Sequence, residues 1–588
     1  MEIAKNRKTG IIKHLICTIA TAACAVFQHF ALLYYIDVDN FKISMVLNGL
    51  YSSDNVCQYV SPILSPVVKL MTKIFPKADC FALLCWLFMM AAIYASFLFI
   101  LEKIHGGIGK ITGFLLVFFV IFNICEGIFC NYTIQTVIIS TVGWIYLLTE
   151  VKMEKVRKNR VVFADTMLFF GMILRNKAAC LMLPFAGLVI ATELVGAKLR
   201  KEEVKPYLIK YLSFLAQEMF IIAVLVLIQY AVLYSPAYKE STKFDAARVA
   251  VLDYPSMPYG ATNLAKTSDI SENDYYAQMC WTLADTDVVT TDFLEKVADS
   301  GRYSGWSRTI VELQLGKGDL GVLLREIYYS VYTKIDKLMK VFLIFLLLET
   351  VTDPKLKTEK QFSIYIAFAG AGLILLFFSY TGRIPKRVSL SVLIGIILTR
   401  AALIDWKEKK ESPVHMMAVL IMASLLLVLS LKLVIGAEYL PRGSFMNALE
   451  HHEKQTETEM PEGEDAIYIW SSANDEDLLD MESGKLFSKE KMKHNIPVGD
   501  WMSGQNYFKE YLKEIGVENP MKALLYRENT YYVQEDSFEQ KNLILNWLRE
   551  HYDENTQIEP VRRTAKYTVW RYYIEEEKAQ LHPAKKRF

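Results

Sequence analysis

Three carboxylates lie close together in residues 34–66, YYIDVDNFKISMVLNGLYSSDNVCQYVSPILSP. Asp37 and Asp39 follow directly on a long apolar run, and Asp54 stands further on in SSDN. A carboxylate held at the end of an apolar segment, beside apolar walls, gains proton affinity, which suits a general base that takes a proton from an acceptor hydroxyl. Acidic residues are also ordinary at helix ends, and SSDN is an ordinary turn. The stretch is either a reaction centre or a polar connection.

Two basic clusters supply the complementary chemistry. One is TGRIPKRV, residues 381–388, with Arg383, Lys386 and Arg387; the other is Arg175 and Lys177 around Asn176. Arginine forks and lysine point charges bind phosphate well. They also reach out to lipid phosphates from short loops between spans. A third group, Arg248, Asp253, Tyr254, Glu272, Asn273, Asp274 and Trp281, lies in a polar region and could bind a sugar or simply fold that region. Ser271 and Asp274 are placed as the cap and the third position of a helix start.

The elements that must position these residues are apolar. The chain of 588 residues is 53% hydrophobic, with mean hydropathy +0.22, and the excess lies in blocks. Several blocks reach about 18 residues, enough to cross a hydrocarbon core of roughly 30 Å. Eleven spans are expected, at about 15–36, 81–101, 111–125, 133–148, 161–174, 178–194, 211–233, 338–351, 362–380, 389–403 and 415–435. The fold class is thus an α-helical polytopic membrane protein with an extracytoplasmic loop domain and a C-terminal α/β extracytoplasmic domain. Its expected parts are an N-terminal membrane module (1–234) with a first outer loop (37–80), and a loop domain (235–334). Further membrane helices (335–435), a linker (436–465) and an α/β unit (466–588) follow.

Basic connections such as VKMEKVRKNR (151–160) belong inside. The N-terminus is then cytoplasmic, with residues 1–36 reading as a signal anchor, and the C-terminal unit is extracellular. The three acids and both basic clusters fall on the outer face. Arg175–Lys177 sits where the fifth and sixth spans meet, because a charged trio at the bilayer centre is costly. LLREIYYSVYTKIDKLMK alternates aromatic and basic residues, as a helix at the membrane interface does. In the tail, AIYIW, KALLYR, TYYVQ and YTVWRYYI alternate with helical patterns.

Net charge is +1, so nothing points to nucleic acid. The nine histidines are scattered and no CxxC or HExxH occurs, so no metal site is assigned from ligand spacing. No cofactor is certain, and a divalent metal stays open. Most of the nine cysteines lie in or beside apolar segments, while Cys57 and Cys280 fall in outer loops where a disulfide would form only if they are close.

The chain resembles the glycosyltransferase-C superfamily of polyprenyl-phosphate-dependent membrane glycosyltransferases. The acidic first outer loop, the paired spans with an Arg/Lys turn followed by LMLPF, the many spans and the trailing soluble unit carry that resemblance. VDNFKISMVLNGLYSS, FPKADCFALL, ARVAVLDYP, SENDYYAQMCW and GRIPKRV resemble, more closely, an uncharacterised polytopic membrane protein family of Gram-positive bacteria. The superfamily resemblance implies an inverting transferase that moves a sugar from a polyprenyl-phosphate lipid to a cell-envelope glycan, lipid or protein. It implies Asp39 as base with Asp37 as its partner. Arg383, Lys386, Arg387, Arg175 and Lys177 would hold the donor phosphate, with Asp54, Arg248 and Asp274 binding substrate. The related proteins carry two adjacent acids where this chain has Asp39 and Asn40. A transporter or flippase of lipid-linked saccharides, and a non-catalytic envelope assembly protein, are the competing readings.

Overall fold

The computed structural model describes residues 2–31, 38–104, 107–121, 131–153, 155–253, 285–300, 307–333, 335, 337–352, 356, 358–381, 384–404, 413–436, 465–471, 494–498, 501–535, 540–563 and 567–575. Helices dominate up to residue 436. They are α1 (Glu2–Ala31), α2 (Val38–Leu47), α3 (Leu64–Ile74), α4 (Cys80–Lys103), α5 (Gly107–Phe119), α6 (Tyr132–Val151), α7 (Lys158–Cys180), α8 (Leu183–Leu199) and α9 (Val204–Leu233). Then come α10 (Lys239–Arg248), α11 (Thr291–Ser300), α12 (Ser307–Gln314), α13 (Leu320–Tyr332), α14 (Lys337–Thr352), α15 (Thr358–Tyr380), α16 (Lys386–Leu403) and α17 (Pro413–Gly436).

Four of these, α4, α6, α9 and α15, are long and apolar enough to cross a membrane. The pair α7 and α8 passes together but bends by 82°, so the number rises to five if the pair is one span. Shorter apolar helices cover Gly10–Val26, Gly107–Phe119 and Met416–Leu429. Among the described residues, four or five helices meet this test, against eleven expected spans. α14 has only 16 residues, and α16 carries Lys386, Arg387 and Arg400.

Caps set where the central helices start. Asp79 accepts from the Ala82 N–H at 2.9 Å at the head of α4, and Asn131 accepts from the Thr133 N–H at 2.8 Å at the head of α6. Both satisfy backbone donors that a helix start leaves unpaired. α6 is buried along nearly its whole length and packs closely on α7. Gly171 of α7 lies against Ser140 of α6, where a Cβ would collide with the serine hydroxyl.

Charge is sorted along the bundle. Tyr132 and Glu150 sit at opposite ends of α6, about 27 Å apart at 1.5 Å per residue. Around Glu150, Arg157 pairs with Glu150 and Arg160 with Glu102, while Lys152 reaches Glu193 at 2.6 Å. Arg400, paired with Glu349, is about 20 Å along α16 from Arg387. The basic segment 151–160 thus marks one end of the bundle, and the head of α6 marks the other.

α13, within the expected interface segment, has no buried residue and exposes Leu320, Leu324, Tyr328, Tyr329 and Tyr332. Residues 465–575 contain β1 (Ile467–Ser471), β2 (Asn495–Val498), α18 (Asn506–Glu514), α19 (Pro520–Tyr526), β3 (Thr530–Glu535), α20 (Gln540–His551), β4 (Thr556–Arg563) and β5 (Tyr567–Ile574). The sheet order is β2-β1-β3-β5-β4. β1 runs parallel to β2 and β3, with Ile469 opposite Ile496 and Tyr532, and β5 is antiparallel to β3 and β4. One expectation fails locally: KALLYR is helical. Asn519 accepts from the Lys522 N–H at 3.1 Å and Pro520 opens the first turn, so the local start signal overrides the apolar run.

The sheet unit is bolted to the preceding region through Asp285. This carboxylate is fully buried and accepts from Asn519 Nδ2 at 2.8 Å, Trp547 Nε1 at 2.9 Å and the Tyr552 hydroxyl at 2.8 Å. Lys522 lies 3.4 Å from Asp287 beside it.

Candidate functional site

The site is built where α2, the heads of α6 and α16, and the turn before α18 converge. α2 places Asp39 in its first turn, where an acid is favoured by the helix dipole. From Lys42 to Asn48 every residue of this segment is buried, so the helix is anchored by its body. Asn40 Oδ1 accepts from the Tyr132 backbone N–H at 2.7 Å, an N-terminal donor of α6. The amide at position 40 therefore ties the loop to the bundle.

Asp39 accepts on both oxygens. Arg387 Nη1 donates to Oδ2 at 2.5 Å, and Trp501 Nε1 donates to Oδ1 at 3.3 Å. The two charged side chains are about a quarter exposed, Arg387 at 24% and Asp39 at 27%. Arg387 lies in the first turn of α16, just after Pro385. A cation there opposes the helix dipole, so its partner, not its own helix, accounts for the position.

Arg175 is the one residue within α7 with non-helical backbone angles, φ −159° and ψ 94°. The break aims its guanidinium at the head of α6. Nη1 donates to Thr133 Oγ1 at 2.5 Å, and the group lies 4.7 Å from the centre of the Tyr132 ring. Asn40 and Arg175 thus hold the same turn of α6 from different elements. Lys177 is exposed, and its backbone N–H donates to Asn176 Oδ1 at 2.6 Å.

A second layer supports Trp501. Its ring stands edge-on to Tyr59, with centroids 4.8 Å apart and planes at 76°. The Tyr59 hydroxyl donates to Asp245 Oδ1 at 2.9 Å and accepts from Arg248 Nη2 at 2.7 Å. Arg248 Nε also donates to Asp245 Oδ1 at 2.9 Å. Arg248 therefore reaches Asp39 through Tyr59 and Trp501. Asp54 accepts from the Tyr238 hydroxyl at 2.8 Å and from the Val56 N–H at 3.2 Å, bracing the loop against the start of α10. Burial first, and then the hydrogen bond to Asp54, pushes the Tyr238 phenol above its ordinary value. Cys57 is a free buried thiol, and burial pushes it up to about 12, which makes it inert.

Asp37, Arg383, Asp274 and Cys280 lie outside the described residues, as does the Lys386 side chain. The structure brings Asp39 and Arg387 together directly, and sets Arg175 on the helix head to which Asn40 is tied. It does not bring Asp54 to Asp39. Among the described residues no group of three or more His, Cys, Asp or Glu could hold a metal ion. Two donors on Asp39 are a guanidinium and an indole N–H.

Sequence reasoning missed Trp501, Tyr59 and Asp285. Trp501 had one usable signal: a tryptophan three residues before a glycine in the non-periodic stretch DWMSGQN. Such a residue does not belong to a helical or strand pattern and so calls for a specific contact.

No protein-family profile matches the chain, and no curated protein matches it. Among solved structures it is similar to ArnT from Cupriavidus metallidurans in the apo state, at 9% identity and TM-score 0.37, covering 96% of this chain and 98% of that one. It is also similar to the same protein bound to undecaprenyl phosphate, at 10% identity and TM-score 0.35, with the same coverage. At these scores the likeness defines neither a shared activity nor shared site residues.

Proposed function

We propose that the chain is a membrane glycosyltransferase that moves a sugar from a polyprenyl-phosphate donor to a cell-envelope acceptor at the outer face. The observation that carries this reading is the pairing of Asp39 with Arg387 at one end of the helical bundle. It sets a proton acceptor beside a phosphate-binding cation at the end of the bundle opposite the basic segment 151–160. The proposed topology puts the N-terminus in the cytoplasm and residues 465–575 outside.

The reaction follows from these groups. Asp39 takes the proton of the acceptor hydroxyl as its oxygen attacks the anomeric carbon of the donor sugar. The bond from that carbon to the phosphate oxygen breaks, and its electron pair leaves on the phosphate. Arg387, with Arg383 and Lys386 adjacent in sequence, meets that growing charge. Arg175 and Lys177 add positive potential from the kink of α7. Attack opposite the leaving phosphate inverts the anomeric centre. Asp37 would assist Asp39, Asp54 and Arg248 would shape the acceptor side, and Asp274 would contact the sugar.

The test uses purified full-length protein in proteoliposomes with a panel of radiolabelled undecaprenyl-phosphate monosaccharides and a cell-envelope fraction. The reading expects label to pass into the acceptor and free undecaprenyl phosphate to appear. Movement of intact lipid across the bilayer without a covalent product would reject it in favour of a flippase.

A further inference from the structure

Arg387 and Trp501 hold the two oxygens of Asp39 from opposite kinds of support. The Arg387 contact is partly open to solvent. Trp501 is only 5% exposed. It is fixed by Tyr59, whose hydroxyl is held by Asp245 and Arg248. Its turn is fixed as well. Gly504, at φ +78°, packs so closely on Phe244 that a Cβ would enter the ring. Asn506 Nδ2 donates to the Ala237 carbonyl at 2.5 Å. Tyr507, Phe508 and Tyr511 surround Tyr51, with ring centroids 6.0, 6.1 and 5.4 Å away. The Asp285 bolt secures the other side of the unit. One donor to Asp39 is exchangeable and the other is part of a wall.

We infer that Arg387 changes partners when an anionic lipid phosphate arrives, and that Trp501 is the positioning residue that keeps Asp39 oriented during the exchange. This rests on the transferase reading above. A phosphate monoester, the headgroup of undecaprenyl phosphate and the leaving group of the proposed transfer, offers a guanidinium more acceptor oxygens and more negative charge than one carboxylate does. It therefore competes for Arg387, and the carboxylate is released from its ion pair as the lipid phosphate monoester occupies the site. The Trp501 N–H on Oδ1 then holds the orientation that leaves Oδ2 facing the position Arg387 vacates. The C-terminal unit becomes an integral wall of the site, and the resting ion pair keeps base and phosphate clamp mutually occupied until the lipid is present.

The experiment places 5-fluorotryptophan at position 501 alone, in full-length protein in nanodiscs, and records its fluorine resonance during titration with undecaprenyl phosphate. Lipid retention is measured in parallel with tritiated undecaprenyl phosphate. The inference expects a saturable shift at position 501 whose midpoint matches retention. The shift should be absent with inorganic phosphate at the same concentration, and lost in Arg387→Gln. A Trp501→Phe variant, lacking the N–H, should retain lipid within about twofold, whereas Arg387→Gln should lose about tenfold, as expected for a charge-assisted contact. Retained lipid with an unmoved fluorine resonance overturns the exchange while leaving the transferase reading intact. An equal shift with inorganic phosphate overturns the lipid assignment. No retention by the wild-type protein overturns both readings.

Discussion

Arg387 and Asp39, separated by 348 positions in the chain, meet at 2.5 Å across the heads of α16 and α2. Neither residue is where its own helix alone would demand a partner. Asp39 is already favoured by its helix dipole, and Arg387 is disfavoured by its own. Their meeting is a tertiary relationship, closed over by Trp501 from a third region. It brings an acid and a cation together at one end of the helical bundle.

The Asp285 bolt makes the first prediction. Asp285→Ala leaves Asn519, Trp547 and Tyr552 without their buried acceptor. Each orphaned buried donor costs about 1–3 kcal/mol, so the variant loses about 3 kcal/mol or more. Limited proteolysis should then cut within residues 465–575 at protease concentrations that leave the wild type whole.

The same contact predicts a pH dependence. Burial first, and then the Asp285 charge, raises the Tyr552 phenol above its ordinary value of 10.0. An acid raised in the folded state is protonated there when the unfolded chain has already lost its proton. Its stabilising contribution is therefore complete below pH 10 and is lost as pH climbs through and beyond it. Chemical denaturation from pH 8 to pH 11 should show stability falling above pH 10, and falling less steeply in Tyr552→Phe.

Gly504 predicts a backbone effect. Its φ of +78° lies in the left-handed region, and a Cβ would meet the Phe244 ring. Gly504→Ala should cost about 2 kcal/mol, seen as a lower thermal midpoint. The Trp501 turn should loosen with it, measured as faster amide exchange at residues 501–505.

Asn40 predicts a contrast between two substitutions. Its side-chain oxygen accepts from the Tyr132 N–H at 2.7 Å. Asn40→Asp keeps the acceptor for the Tyr132 N–H and should cost less than its removal. Asn40→Leu removes it, exposes an unpaired helix donor, and should cost about 1–2 kcal/mol.

Much of the helical layout was legible because spans of apolar residues leave a strong composition signal. The positions of α4, α6, α9 and α15 follow directly from it. A break at Arg175 was legible from the cost of placing Arg175, Asn176 and Lys177 in hydrocarbon, but the helix resumes and runs to Cys180, so the bend into α8 comes later than the expected junction at 175–177. Arg387 could be named from residue type and Asp39 from the resemblance, and the acidic loop could be expected near the 381–388 turn, but the direct contact of these two residues could not. No local rule links positions so far apart, and Arg387 even runs against the preference of its helix. Trp501 was invisible for a related reason: its role lies in a contact with another region and leaves no periodic pattern. Asn40 showed the reverse error of emphasis. It read as a missing second acid, whereas its backbone acceptor role suits an amide as well as a carboxylate.

The most direct measurement is the rate of sugar transfer by Asp39→Asn in proteoliposomes charged with undecaprenyl-phosphate monosaccharides. Asparagine keeps one oxygen, enough for either Arg387 or Trp501, and cannot take a proton from an acceptor hydroxyl at neutral pH. The account predicts a folded protein destabilised by no more than about 1 kcal/mol, the worth of a partly exposed ion pair, with intact undecaprenyl phosphate retention and a rate lower by about 100-fold or more. Transfer at the wild-type rate by the folded Asp39→Asn protein would contradict it.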